Sequence, residues 1–376
     1  MNRRTFLQYG CAGLVSAVVG SGVYSYLSMQ DTRALRNEYR EHLFPGLSDD
    51  AIRILYLASL APSGHNTQPW QVRIQEPWQW VIGSRKSSWL SAVDPDNREL
   101  LLSVGAFLEN LSVAAGICGY QAVYDVIGQD GFSEDLVKVF LQPNAASGAS
   151  ENTIRQRRTL RKGLTKTAIR ESDLAALVGK YADRVFYYPR ESTQGRFLSQ
   201  IVLTANRIQT DRYDARAELG EWIRWTDQEA QRYGSGLTPD SMEMGGVAKW
   251  YAQHFMDKES VHTATFSEET IKLVKEQIEH CAGWLIVKSK DSTVKEIINT
   301  GRIVESMWLK AREKQMAFHP MTQPLEEAEC KRNLEETING AGDLQFVIRI
   351  GYVNEYPDPV SLRAPMGKFV VLQEEA

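Results

Sequence analysis

Two short runs in this 376-residue chain carry side chains whose types and spacing could do chemistry. The first is Ala61-Pro62-Ser63-Gly64-His65-Asn66-Thr67-Gln68-Pro69-Trp70. Serine, asparagine and glutamine here offer donors and acceptors on a loop that two prolines stiffen, which lowers the ordering cost of binding. Gly64 lets the backbone approach a ligand closely. The second run is Arg155 to Gly163, "RQRRTLRKG". Arg157-x-Thr159-x-Arg161 sets two guanidiniums either side of a hydroxyl, which at turn or helical spacing can converge on one phosphate. A solvated basic helix face is the other reading of that run.

Other chemistries find no support. No GxGxxG follows a strand, and there is no GxxxxGK[ST], so neither common phosphate loop is indicated. Ser63 and His65 stand two apart in a loop without a GxSxG elbow, which does not set up a nucleophile and its base. The remaining histidines, His42, His254, His262, His280 and His319, form no HExxH or facial triad. Glu279-His280-Cys281 would point in different directions on a helix, so no metal is expected. The four cysteines contain no CxxC pair, hence no disulfide framework or zinc cluster. A formal net charge of −4 argues against a general nucleic-acid binder. Hydrophobic residues at 43% and charged residues at 24% are the balance of a soluble globular protein.

The elements that must position the two runs follow from periodicity. Ser48-Asp49-Asp50 is an N-cap with an acidic first turn, and Ile52, Leu55, Leu57 and Leu60 continue a buried helix to Pro62. A hairpin is expected over 71–75 and 78–84. The stretch from Asn97 to Tyr120 is apolar nearly all round, which predicts a central core helix. Strands near 122–127 and 137–141 complete a first half. "QPNAASGASEN" around Pro143 is the best linker, giving halves 31–145 and 146–376. The second half predicts helices at 171–180, 192–209, 214–232, 268–281 and 294–317, with strands at 283–289 and 344–353. Region 234–266, with its glycines and Met242, Met244 and Met256, reads as an irregular insertion that could cover a site. Trp222, Trp225 and Trp250 are candidates to line a pocket.

Arg3-Arg4 precedes an uncharged run from Thr5 to Gln30. Residues 1–30 therefore read as a twin-arginine-type export signal or a retained membrane anchor, which would place the protein in, or facing, the periplasm.

Together the two runs resemble the nitroreductase superfamily of flavin enzymes. Ala61-Pro62-Ser63-x-x-Asn66-x-Gln68-Pro69-Trp70 is similar to that family's flavin loop, and Arg157-x-Thr159-x-Arg161 to its phosphate-binding motif. In ordinary members the arginine motif comes first, and two identical subunits each supply one motif to a shared site. Here the order is reversed within one chain. That matches the Acg-like branch, in which two nitroreductase-like halves are fused and imitate the dimer. "DNRELLLSVGAFLENLSVAAGICGY", "WLKAREKQMAFHPMTQPLE" and "LRAPMGKFV" agree with this branch. The resemblance implies an α+β fold of two pseudo-symmetric halves, a monomer, and one composite FMN site. Ser63, Gly64, Asn66 and Gln68 would meet the flavin, and Arg157, Thr159, Arg161 and Arg363 its phosphate. The chemistry would be carried by FMN with no obligatory catalytic side chain. Hydride from NAD(P)H, or electrons from a quinol donor, would pass in a ping-pong cycle to a small nitro- or quinone-like acceptor. The other implication is a protein that only holds FMN, shut by a cover over 234–266.

Overall fold

The computed structural model describes residue 44, residues 46–338 and residues 340–372; the expected signal or anchor at 1–30 lies outside the described residues. The architecture is α+β. Helix α1 (Asp49–Ser59) starts where expected, the Ser48 hydroxyl accepting from the Ala51 amide. There follow β1 (Trp70–Glu76), β2 (Gln79–Ser84), α2 (Arg98–Ile117), β3 (Tyr120–Val126) and β4 (Asp135–Pro143). After an exposed connection over 144–150 come α3 (Glu151–Gln156), α4 (Glu171–Val178), β5 (Val185–Pro189), α5 (Thr193–Asp211) and α6 (Tyr213–Trp222). The chain continues through α7 (Asp227–Tyr233), α8 (Gly246–Phe255), α9 (Ala264–Glu279), β6 (Gly283–Ser289) and α10 (Val294–Glu313). It ends with β7 (Met316–Pro320), α11 (Gln323–Glu326), α12 (Ala328–Thr337), β8 (Asp343–Tyr352) and β9 (Val370–Leu372).

The strands form two sheets, ordered β3-β4-β2-β1-β9 and β5-β6-β8-β7. Leaving out β9, every pairing is antiparallel, and the two orders match strand for strand with a long helix before the penultimate strand of each set. The difference is the turn after the first strand. It is a tight hairpin between β1 and β2, whereas α5 to α9 are inserted between β5 and β6. Strand β9 pairs parallel to β1, Val72 opposite Val370, so the C-terminus closes the edge of the first sheet.

Between the sheets lie the two 20-residue helices α2 and α10. Apolar on nearly every side, α2 has a hydropathy that would suit a membrane span, yet it is mostly buried. Its core cluster includes Val294, Ile297, Ile298 and Leu309 of α10. The helices touch backbone to backbone: a Cβ on Gly105 would stand 2.1 Å from the Ile298 carbonyl oxygen, and one on Gly301 2.1 Å from that of Leu102.

Some sequence expectations shift. The helix expected over 294–317 stops at Glu313; Gln315 turns left-handed at φ 54° and Met316–Pro320 pairs with β8 as a buried strand. The helix expected over 214–232 is two, because Thr226 caps α7 with a reciprocal box to Glu229. Region 234–266 contains the regular helix α8. Strands β5 and β9 were not anticipated, being too short for their alternation to stand out.

The glycine crossing yields a stability expectation. Alanine favours a helix over glycine by ~1 kcal/mol, yet Gly105→Ala and Gly301→Ala should each destabilise the fold by about 1–3 kcal/mol, because a methyl forces the backbones apart. Urea unfolding would check this; a neutral or stabilising result would mean the helices do not meet at these residues.

Candidate functional site

The C-terminus of α1 begins the site. The Leu60 carbonyl accepts from Arg157 Nη2 at 3.1 Å and from Arg363 Nη2 at 2.8 Å, and Arg363 also reaches the Ala61 carbonyl at 3.3 Å. Cations at the negative end of a helix are favourable. Arg157 is a buried side chain that pairs with the fully buried Glu305 of α10, 3.1 Å away, and lies over the Trp308 ring. Asn110 of α2, with its amide turned to satisfy both neighbours, donates to Glu305 at 3.0 Å and accepts from the Ala61 amide at 3.1 Å.

The loop that follows is held in an unusual shape. His65, Asn66 and Gln68 have φ of 45°, 54° and 52°, a region that non-glycine residues visit at a cost. Hydrogen bonds offset that cost. Ser63 Oγ accepts from the Gln68 amide at 2.9 Å. Asn66 donates to the carbonyls of Gly236 and Leu362 at 3.0 and 3.1 Å and accepts from Arg363 at 3.0 Å. Gln68 donates to the Gly234 carbonyl and accepts from the Ala364 amide, both at 2.9 Å. Trp70 is buried against Phe107.

Beside this loop is a cavity of about 400 Å³, within the ~300–1,000 Å³ of small-molecule sites. Of the residues singled out from sequence, Ser63, Gly64, Thr159 and Arg161 line it; Asn66, Gln68, Arg157 and Arg363 do not. These four stand behind the wall, their polar ends bonded to backbone and to each other. Asn66 and Gln68 thus lace the loop to the segments at 234–236 and 362–364 where direct ligand contact was expected. Trp222, Trp225 and Trp250 are also absent from the wall; Trp225 belongs to a small core with Ile223 and Val261. Leu237 and Met242 do line the cavity, so the 234–266 region reaches it. That region is tied down: Glu243 bonds Arg158 at 3.0 Å and the Arg161 amide at 3.1 Å, while the Ser241 carbonyl accepts from Arg161 Nη1 at 2.7 Å.

A second arginine stands behind the cavity wall at Arg161. Arg349 on β8 donates to the carbonyls of Arg161 and Gln277. Among the described residues, neither Arg161 nor Arg349 forms an ion pair with a carboxylate side chain through its guanidinium. Burial lowers both, Arg349 to about 10; Glu243 opposes this at each, while Arg158 adds to it at Arg161 and Arg161 adds to it at Arg349. Arg349 Nε and His319 Nδ1 have no partner. His319 and Glu305 both line the cavity, and both were missed in the sequence. His319 passed for an isolated histidine. Glu305 carried a signal, since Gly301, Glu305 and Trp308 fall at helical spacing on a face of otherwise apolar residues.

No family model matches the chain. A protein of Mycobacterium tuberculosis (strain H37Rv), named "Putative NAD(P)H nitroreductase Rv3131", is 26% identical over 330 residues, 86% of this chain and 91% of its own. "Probable NAD(P)H nitroreductase PigM" of a Serratia species is 24% identical over 82% of this chain and 89% of its own. A crystal structure of a nitroreductase-like family protein from Bacillus cereus is 13% identical, covering 61% of this chain and 98% of its own, with a TM-score of 0.35, too low to carry weight. Over most of its length the chain is therefore similar to proteins bearing nitroreductase names.

Glu305 makes stability depend on pH. Burial pushes its carboxyl from 4.5 up to about 7, although Arg157 opposes the shift. A carboxyl with a raised native pKa binds more protons folded than unfolded, so its contribution falls as pH rises through that interval and levels off above it. Glu305→Gln should remove a loss on the order of 3 kcal/mol between about pH 4.5 and about pH 8. Urea unfolding of both proteins across that range is the check; parallel pH profiles would count against a neutral Glu305 at low pH.

Proposed function

We propose that this protein is an FMN-binding oxidoreductase of nitroreductase type, its two like sheets being fused halves that close one cavity between them in a monomer. The carrying observation is the cavity wall at Arg161, whose guanidinium donates to the Ser241 carbonyl and makes no carboxylate ion pair among the described residues, with the Arg349 guanidinium behind it on carbonyl acceptors alone. Buried cations need counter-charge; Glu243, bonded to the Arg161 amide, supplies part of it, and a phosphate would supply the rest. Thr159 and Arg161 would hold that phosphate. Ser63 and Gly64 would meet the flavin's polar edge, and Leu237 and Met242 would keep water from its open side. Arg157 and Arg363 would act through the loop, by fixing the Leu60 carbonyl. Bound FMN would supply two-electron chemistry between a nicotinamide donor and a small nitro- or quinone-like acceptor; the donor class is supported by the names of the relatives. Residues 1–30 would direct export or anchor the chain, in which case a quinol or other membrane donor would replace NAD(P)H.

A second reading, a protein that holds FMN without turning it over, is favoured by one observation. The cover is bonded through Ser241 and Glu243 to the arginine run itself, and a fixed cover would keep a donor from the ~3–3.5 Å approach that hydride transfer needs.

Two measurements separate these readings. A charged hydrogen bond is worth about 1.5–3 kcal/mol, so Arg161→Ala should weaken FMN roughly ten- to a hundred-fold and leave riboflavin nearly unchanged. Arg157→Ala should instead weaken both flavins alike and lower thermal stability. Equal loss of FMN and riboflavin in Arg161→Ala would place the phosphate elsewhere. The purified protein should carry one FMN per monomer. Anaerobic mixing with NADPH should bleach the flavin band if the protein is an enzyme with that donor, and mixing with a quinol should do so if its donor is a quinol; bleaching by dithionite and by neither of these is the holder's result.

A further inference from the structure

Two histidines share the cavity wall with Arg161, and neither has a role in the reading above. His65 sits at the turn of the left-handed loop, and His319 on β7, directly across the strand pair from Arg349. His319 is 8% exposed, and the Nδ1 atoms of both rings are buried without a partner. A buried ring nitrogen without a partner is costly, and a ligand seated against these two rings changes what surrounds them.

We propose that His65 and His319 are ligand-facing groups that take up protons when a phosphate-bearing ligand seats beside Arg161, so that anion binding and proton binding are coupled. The inference rests on the FMN reading only for the identity of that ligand. Arg161 is common to both rings. Burial is the main force lowering His65, to about 4, with Glu99 opposing and Arg161 assisting. Burial likewise lowers His319 well below its usual range, with Arg349 and then Arg161 adding to it. The other charged groups of the wall are Glu305, paired with Arg157, and Arg216 and Glu326. Without an anion both rings are neutral near pH 7. A phosphate near Arg161 cancels the cationic field and adds negative charge, which favours the imidazolium. By linkage the ligand then binds more tightly as pH falls towards the raised histidine values.

Titration calorimetry of the full chain with FMN near pH 7, in buffers of different ionisation enthalpy, reads the protons taken up. Wild type should gain roughly half a proton or more per FMN. The pair His65→Asn and His319→Gln, where asparagine tolerates the left-handed turn, should lose that gain. The phosphate's own titration remains as a common background, and riboflavin should show no uptake. FMN binding with the same proton count in wild type and double variant overturns the inference. If no flavin binds at all, the flavin reading falls instead. Inorganic phosphate then tests the histidines alone, by NMR titration of the labelled imidazoles. Both rings should titrate at higher pH with phosphate present, and unchanged titration overturns the inference.

Discussion

Contact between two bare stretches of helix backbone, at Gly105 and Gly301, sets the spacing of everything else. Each sheet stacks on one long helix, and the two helices meet with no side chain between them at the crossing. The loop after α1 therefore comes within reach of the arginine run near α10. Bulkier residues would let each half fold around its own helix while separating the two walls of the cavity. The close approach leaves little freedom for the polar atoms trapped beside it. Asn110, Glu305 and Arg157 accordingly link to one another in a chain that runs from α2 through α10 to the end of α1.

The electrostatics of the cavity follow from that geometry. Placing several guanidiniums in a low-dielectric interior is expensive unless acceptors surround them. Helix ends and turns provide carbonyl oxygens: Leu60 for Arg157 and Arg363, Ser241 for Arg161, Gln277 for Arg349. Carbonyl dipoles soften the cost, and Glu305 and Glu243 supply part of the counter-charge. The loop pays a comparable conformational cost at His65, Asn66 and Gln68. Strain and unbalanced charge thus occur at the same place, where a packed core would have removed both.

The order of motifs, the apolar helix α2 and the exposed linker near Pro143 were all legible, because each rests on local periodicity or composition. The site was legible as a region and less so as a set of contacts. Asn66 and Gln68 carry the right chemistry for a ligand, and the fold uses it on backbone carbonyls of residues 234, 236 and 362. A carbonyl leaves no mark in a sequence, since every residue has one. Arg157 was recognisable as a cation, whereas its partner Glu305 was marked only by its place on the apolar face of a helix rich in charges. Strand β7 escaped because Met316–Pro320 continues the apolar pattern of the helix before it, and the left-handed turn at Gln315 has no glycine to announce it.

The position of β9 governs when the molecule can be finished during synthesis. Translation runs from the first half to the second, yet the first sheet lacks its edge until Val370–Leu372 has emerged. The same final stretch brings the Leu362 carbonyl, the Arg363 side chain and the Ala364 amide that hold Asn66 and Gln68. A nascent chain can pair β1 with β2 and lay down α2 early. It cannot hold the loop in its left-handed shape until residues 362–364 have emerged. The shape of the cavity wall is therefore settled late, and a chain that stopped before Leu362 would keep most of its hydrophobic core and lose the bonds that fix Asn66 and Gln68.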